Sequence, residues 1–166
     1  MQHPKTVGDH STFAIMLALD EAGYRVAIPF GENTRYDLVI DDGVQLARVQ
    51  CKTGRLRGGA VRFKACSLYA HHPNPKIISR DYLGEIDYFA VYCRETGAVY
   101  LIPIGEMPLR WEAALRVIPA RNGQVRGIRQ AAEYEIGRIV SNQPTSTQAV
   151  AGFALGRPSM SIDQTA

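Results

Sequence analysis

The segment from Tyr36 to Lys52, Tyr-Asp-Leu-Val-Ile-Asp-Asp-Gly-Val-Gln-Leu-Ala-Arg-Val-Gln-Cys-Lys, reads as a β-hairpin. Two mostly apolar stretches, Tyr36–Asp41 and Val44–Lys52, flank Asp42-Gly43, a dipeptide suited to a tight turn between strands. Each strand nevertheless carries polar groups where its own pattern asks for apolar ones. Asp37 interrupts Tyr36, Leu38, Val39 and Ile40, and Gln50 and Lys52 flank Cys51. Folding at the turn brings Asp37 close to the end of the second strand. Strand side chains alternate between faces, so positions 50 and 52 share one face and Cys51 points to the other. A carboxylate, an amide oxygen and an ammonium converging at one sheet end have the chemistry to bind a divalent cation beside a phosphate.

The 166 residues suggest one domain, 1–138, followed by a tail, 139–166, that is rich in Ser, Thr, Gln, Ala and Gly and is expected to be disordered. At 46% hydrophobic and 21% charged residues the domain should bury a core. No apolar run approaches the roughly 18 residues of a membrane span. The opening Met-Gln-His-Pro-Lys lacks the layout of a signal peptide. Cysteines 51, 66 and 93 are odd in number and fit free, buried thiols in a reducing cytoplasm better than a disulfide framework or a zinc ribbon.

Net charge is only +3, but its distribution is uneven. From Gly43 to Arg80 there is no Asp or Glu, while Arg48, Lys52, Arg55, Arg57, Arg62, Lys64, Lys76 and Arg80 accumulate with His71 and His72. A second basic region holds Arg110, Arg116, Arg121, Arg126 and Arg129, with Glu112 as its only acid. Such a run is either a solvated basic face or an attractor for a polyanion, and its adjacency to the hairpin favours nucleic acid.

Along the chain, Ser11–Ala22 has helical spacing and Gly23 is placed to end it. Tyr24–Phe30 reads as a strand, Gly31–Thr34 as a loop, and Thr53–Gly59 as a flexible basic loop after the hairpin. Ala60–Ser67 follows as a strand, with Val61 and Phe63 on one face and Arg62 and Lys64 on the other. His71–Arg80 looks irregular. Ile86–Cys93 and Ala98–Pro103 form a strand pair across a turn at 95–97. Leu109–Val117 and Ile128–Ile136 are expected as late helices. The order implies an α/β or α+β domain built on a mixed central sheet flanked by helices.

Phosphodiester hydrolysis needs a nucleophilic water and stabilisation of the charge that builds on the phosphate. A Mg2+ or Mn2+ ion held by hard oxygen ligands supplies both, and a nearby ammonium adds to the second. Asp37 suits direct ligation, Gln50 offers a neutral carbonyl oxygen, and the backbone carbonyl of Cys51 lies between them. Lys52 then stands near the attacking water or the scissile phosphate.

At these residues the chain resembles the PD-(D/E)XK nuclease superfamily, in the variant where Gln replaces the acid of the last motif. The pattern Arg35-Tyr-Asp37 … Arg48-Val-Gln-Cys-Lys-Thr-Gly54 carries the resemblance. With Pro29–Asp37, Ile86–Tyr92 and Val99–Pro103, it is most like the group I intron-associated homing endonucleases. The resemblance spans roughly residues 5 to 105. It implies a restriction-endonuclease-like mixed sheet flanked by helices, metal-dependent cleavage of double-stranded DNA, and often a homo-oligomer. Carried over, Asp37 and Gln50 ligate the metal and Lys52 is the catalytic lysine. The chain departs from the pattern at Thr12, where the family's first helix commonly places a Glu facing the site; Asp9 is the only acid nearby.

Around this site Arg35, Arg55, Arg57, Arg62 and Lys64 are the expected DNA contacts, Arg55 and Arg57 gripping the backbone. Glu32 and Arg35 sit in the loop before the motif, where a loop salt bridge or a turn role is favoured over metal ligation. Asp41 and Asp42 are explained by the turn. Adjacent His71 and His72 point in different directions and fit a surface loop. Tyr69, Tyr82 and Trp111 are candidates for base stacking or for the core.

Overall fold

The computed structural model describes residues 3–31, 33–70, 77–107, 111–119, 123 and 126–138. Helix α1, Pro4–Glu21, opens with Pro in its first turn, where a missing N–H costs nothing, and His3 Nδ1 accepts the Lys5 N–H at 3.3 Å. It begins seven residues before the expected Ser11, because its first turns carry few large apolar residues and so show no helical period. Its end is as expected. Gly23 takes φ 90° and its N–H reaches the Asp20 carbonyl, while the Tyr24 N–H reaches that of Leu19, a Schellman closure.

The strands are β1 Arg25–Ala27, β2 Leu38–Asp41, β3 Leu46–Arg57, β4 Ala60–Lys64, β5 Ser67–Ala70, β6 Ile77–Arg80, β7 Tyr88–Cys93, β8 Ala98–Pro103, β9 Glu112–Arg116 and β10 Glu135–Arg138. Among the described residues the main sheet runs β1-β2-β3-β7-β8-β10, with β4 on the far end of β3 and β9 on β4. Only the β3–β7 pairing within it is parallel, so the sheet is mixed as expected. Strands β5 and β6 form a separate antiparallel pair, Ser67↔Arg80 to Ala70↔Ile77.

Helix α1 covers one face of this sheet. Ala14, Ile15, Ala18 and Leu19 pack there on Leu38, Ile40, Val49, Ala90 and Val99. Full burial of side chains such as Ile15 and Leu19 contributes about 1.5–3 kcal/mol each. Ser11 pins the helix to β3 through a 2.7 Å hydrogen bond with Thr53 Oγ1. The second core lies on the other face around Phe89, Val91, Tyr100 and Ile102, closed by Val61 and Phe63 of β4 and Leu115 of β9.

Several expected elements differ. The basic segment Thr53–Gly59 is not a flexible loop: β3 continues to Arg57 and turns back through Gly58 and Gly59, both at positive φ (57° and 74°), the two-residue hairpin that such glycines permit. Residues 77–80 of the expected irregular stretch pair with β5. The late helices are β-structure instead. β9 alternates exposed and buried residues because Ala113 and Leu115 face the core opposite Phe63 and Val61, so tertiary pairing on β4 overrides helix propensity. Residues 128–136 hold a short 3-10 turn, Ala131–Glu133, and the start of β10. Trp111, far from being core, is 59% exposed. Glu32, His71, His72, Lys76, Arg110, Arg121 and the segment 139–166 lie outside the described residues. No helix among those described is long and apolar enough to cross a membrane.

Candidate active site

Two strands and a gap create the site. On one edge of β3, β2 pairs with residues 46–49 and β4 with residues 55–57. On the opposite edge β7 pairs with residues 49–54. The stretch of β3 between β2 and β4 therefore has no strand neighbour on its first edge. Asp37, immediately before β2, reaches into that gap: its N–H donates to the Val49 carbonyl at 2.9 Å and its Oδ2 accepts the Cys51 N–H at 2.8 Å.

The Gln50 amide nitrogen lies against the same Asp37 oxygen and 3.4 Å from the Cys51 carbonyl. Asp37 as a residue is exposed, but its carboxylate folds back onto β3. Desolvation there raises its pKa, against the opposing pull of the Cys51 N–H, the Lys52 charge and the Gln50 amide. Alternation along β3 is as expected. Cys51 turns toward α1 and joins its core, where burial pushes its thiol far above the ordinary range. Lys52 turns to the other face, and its Nζ donates to the Tyr82 hydroxyl at 3.0 Å.

Whether these residues fit a divalent cation is decided by the donors. The Gln50 N–H group sits where a carboxylate oxygen and a backbone carbonyl converge, the position a cation favours. A half-turn of that amide presents Oε1 instead, giving three hard oxygens from Asp37, Gln50 and Cys51. Such a set suits Mg2+, which takes one or two carboxylates and completes its shell with water and phosphate oxygens. Asp37 is the carboxylate of this set, and among the described residues no group of three or more His, Cys, Asp or Glu could hold a metal. Thr12 lies on the helix side, its hydroxyl donating to the Gly8 carbonyl at 3.2 Å.

Beside the gap opens a cavity of about 540 Å³ lined by Lys52, Thr53, Arg55, Arg57, Arg62 and Lys64, with Glu112 as its acid. Four of the five expected DNA contacts thus share one hollow with Lys52. The fifth, Arg35, is placed elsewhere: Nε donates to Glu85 at 2.5 Å, Nη1 to Ser67 Oγ and Nη2 to the Asp81 carbonyl, both at 2.7 Å. Its ion pair is thus made with Glu85, fifty residues on in the chain, and Glu32 lies outside the described residues.

Part of the acid-free stretch is neutralised in space by acids from elsewhere in the chain. Arg48 is bound by Asp87, Arg80 by Glu85, Arg62 by Glu112 at 2.9 Å, and Arg55 by Glu95 at 3.8 Å. Arg57 and Lys64 are the cavity cations besides Lys52 with no ion pair among the described residues. Tyr82, weighed as core or as a base-stacking group, is core and also the partner of Lys52. No spacing rule connects the two positions, so that contact left no signal in the sequence.

A family model of PD-(D/E)XK endonucleases matches residues 2–137. Among solved structures the chain is similar to that of a bacterial homing endonuclease, I-Ssp6803I, at 26% identity and a TM-score of 0.64, over 81% of this chain and 89% of that one. No curated protein matches it.

Proposed function

This chain belongs to the PD-(D/E)XK endonuclease family, and on that premise we propose that it is a Mg2+- or Mn2+-dependent endonuclease acting on double-stranded DNA. The observation that carries the reading is the convergence of Asp37, Gln50 and the Cys51 carbonyl in the β3 gap beside Lys52 and a basic hollow.

Asp37, the Cys51 carbonyl and Gln50 through Oε1 would hold the ion. When bound, the ion polarises a phosphate oxygen and acidifies a water. Lys52 presents its ammonium to the scissile phosphate, where it offsets the charge that builds as the P–O bond breaks. Arg57 and Lys64 engage flanking phosphates and set the register of the duplex without reading its bases. With one carboxylate among the residues that would hold it, the ion would bind more tightly when DNA phosphate is also present. Cutting both strands takes two such sites or two encounters, which fits a homo-oligomer. The three free cysteines fit a reducing cytoplasm.

Thr12, where the family commonly has Glu, motivates a second reading: a DNA-binding module that keeps the fold with little or no chemistry. Supercoiled plasmid with Mg2+, Mn2+ or EDTA separates the two. Metal-dependent nicking, lost in Asp37→Ala and in Lys52→Ala with DNA binding retained in the latter, is the expected result. Tight DNA binding with no nicking in either ion overturns the enzyme reading in favour of the module.

A further inference from the structure

The Lys52 side chain leaves the sheet toward the second core, and its end meets Tyr82, in the segment between β6 and β7. Tyr82 is 5% exposed, and its ring stands edge-on to Phe89 with centroids 5.4 Å apart and planes at 86°. A buried phenol needs a polar partner for its oxygen. Here that partner is the Lys52 ammonium at 3.0 Å, which also lies 4.7 Å from the ring centroid. The Arg35 guanidinium carbon sits 4.3 Å from the same centroid. Arg35 in turn is fixed by Glu85, Ser67 and the Asp81 carbonyl, and Arg80 closes on Glu85 from the β6 side.

A lysine ammonium rides on a flexible four-carbon stem, so left alone it samples many positions. Catalysis by a positioned charge loses rate steeply when that charge wanders by about 1 Å. A ring wedged into the core and a hydroxyl at its rim select one position for Nζ. We propose that Tyr82 is the positioning residue of Lys52: its phenol oxygen takes one of the three ammonium protons and leaves the other two for the substrate phosphate, while Phe89 and the Arg35 cluster keep the ring in place. This rests on the reading of Lys52 as the phosphate-side cation, and it gives Arg35 a supporting place behind the site.

Tyr82→Phe tests this, since it keeps the ring in the core and removes only the oxygen. Two measurements are made on the whole protein. Reductive methylation with limiting formaldehyde, read residue by residue in mass spectra, reports how freely each lysine amine moves and reacts. Lys52 is expected to label more slowly than exposed Lys64 in the parent protein, and several-fold faster in the variant, with Lys64 unchanged. Single-turnover plasmid cleavage in Mg2+ is expected to fall about tenfold or more in the variant. Duplex affinity in Ca2+ and the thermal midpoint should hold, a split between rate and binding that a purely structural role would not produce.

Unchanged labelling of Lys52 overturns the inference whatever the cleavage rate does. So does faster labelling with an unchanged rate, or a rate loss that merely follows a fall in thermal midpoint. If the labelling contrast holds and neither protein cleaves DNA, the nuclease reading fails while the placement of Lys52 by Tyr82 stands.

Discussion

Asp37 Oδ2 accepts the backbone N–H of Cys51 at 2.8 Å, joining residues fourteen apart across the unpaired edge of β3. With the Asp37 N–H to the Val49 carbonyl, this bond fixes the carboxylate at the mouth of the gap between β2 and β4, against the Gln50 amide. The same crowding desolvates Asp37 and raises its pKa, a cost that a bound cation would offset.

Replacing Gln50 by Glu puts a second carboxylate against Asp37. Without metal the two like charges repel, and the thermal midpoint in EDTA at pH 7 should fall. Added Mg2+ should restore it, and half-maximal cleavage should come at a lower Mg2+ concentration than in the parent. An unaltered Mg2+ dependence of both melting and cleavage would remove Gln50 from the metal position.

Arg57 and Lys64, which besides Lys52 have no ion pair among the described residues, should behave as phosphate contacts. Arg57→Ala and Lys64→Ala are each expected to weaken duplex binding irrespective of sequence and to reduce the slope of log K against log salt by about one. Arg48→Ala, whose guanidinium is already held by Asp87 at 3.1 Å, should leave the slope unchanged. Fluorescence anisotropy across a salt series measures all three. Equal slopes throughout would place the DNA elsewhere.

Gly54 is small for a packing reason. A Cβ there would stand 2.6 Å from Val61 Cγ1 and 2.9 Å from Val91 Cγ1, between β4 and β7. Valine is stiff at χ1 and cannot swing clear at little cost. Gly54→Ala should therefore destabilise the fold by about 1–3 kcal/mol, as overpacked cores do. Urea unfolding gives the value, and an unchanged midpoint would contradict the close packing of β3.

Asp87 ties the start of β7 to β3. Its carboxylate takes the Arg48 backbone N–H at 2.7 Å and the side-chain Nε at 3.1 Å. The hydrogen bond from the Arg48 side chain is the main cause of its lowered pKa. A carboxylate lowered by folding contributes stability that is present above its unfolded pKa of about 3.9 and is lost as pH falls through the folded value. Asp87→Asn should thus lower the thermal midpoint at pH 7, with the gap to the parent narrowing below about pH 4. A gap that stays constant to pH 2.5 would show that the charge plays no part.

The β2–β3 hairpin, the strand pair Tyr88–Cys93 and Ala98–Pro103, the helix end at Gly23 and the meeting of Asp37 with the end of the second strand were legible in the chain, although the hairpin loop spans residues 42–45 where the dipeptide predicts a two-residue turn. Each depends on local chemistry: a turn dipeptide, an alternation of period two, a glycine at positive φ. Those same local rules misread Thr53–Gly59 and Leu109–Val117. The glycines looked like flexibility when Gly54 answers to two valines, and β9 is a strand only because β4 offers it an edge.

Charge shows the division most clearly. The sequence by itself determined that a run of cations without acids follows the hairpin, and that a carboxylate, an amide and an ammonium gather at its base. Only the tertiary structure decided which of those cations meet an acid. Parallel pairing of β3 with β7 and the strand added by β9 bring Asp87, Glu95 and Glu112 from up to fifty residues away against Arg48, Arg55 and Arg62. Coulomb attraction acts through space and is indifferent to sequence distance, so the placing of those acids and of Tyr82 on Lys52 had to await the fold.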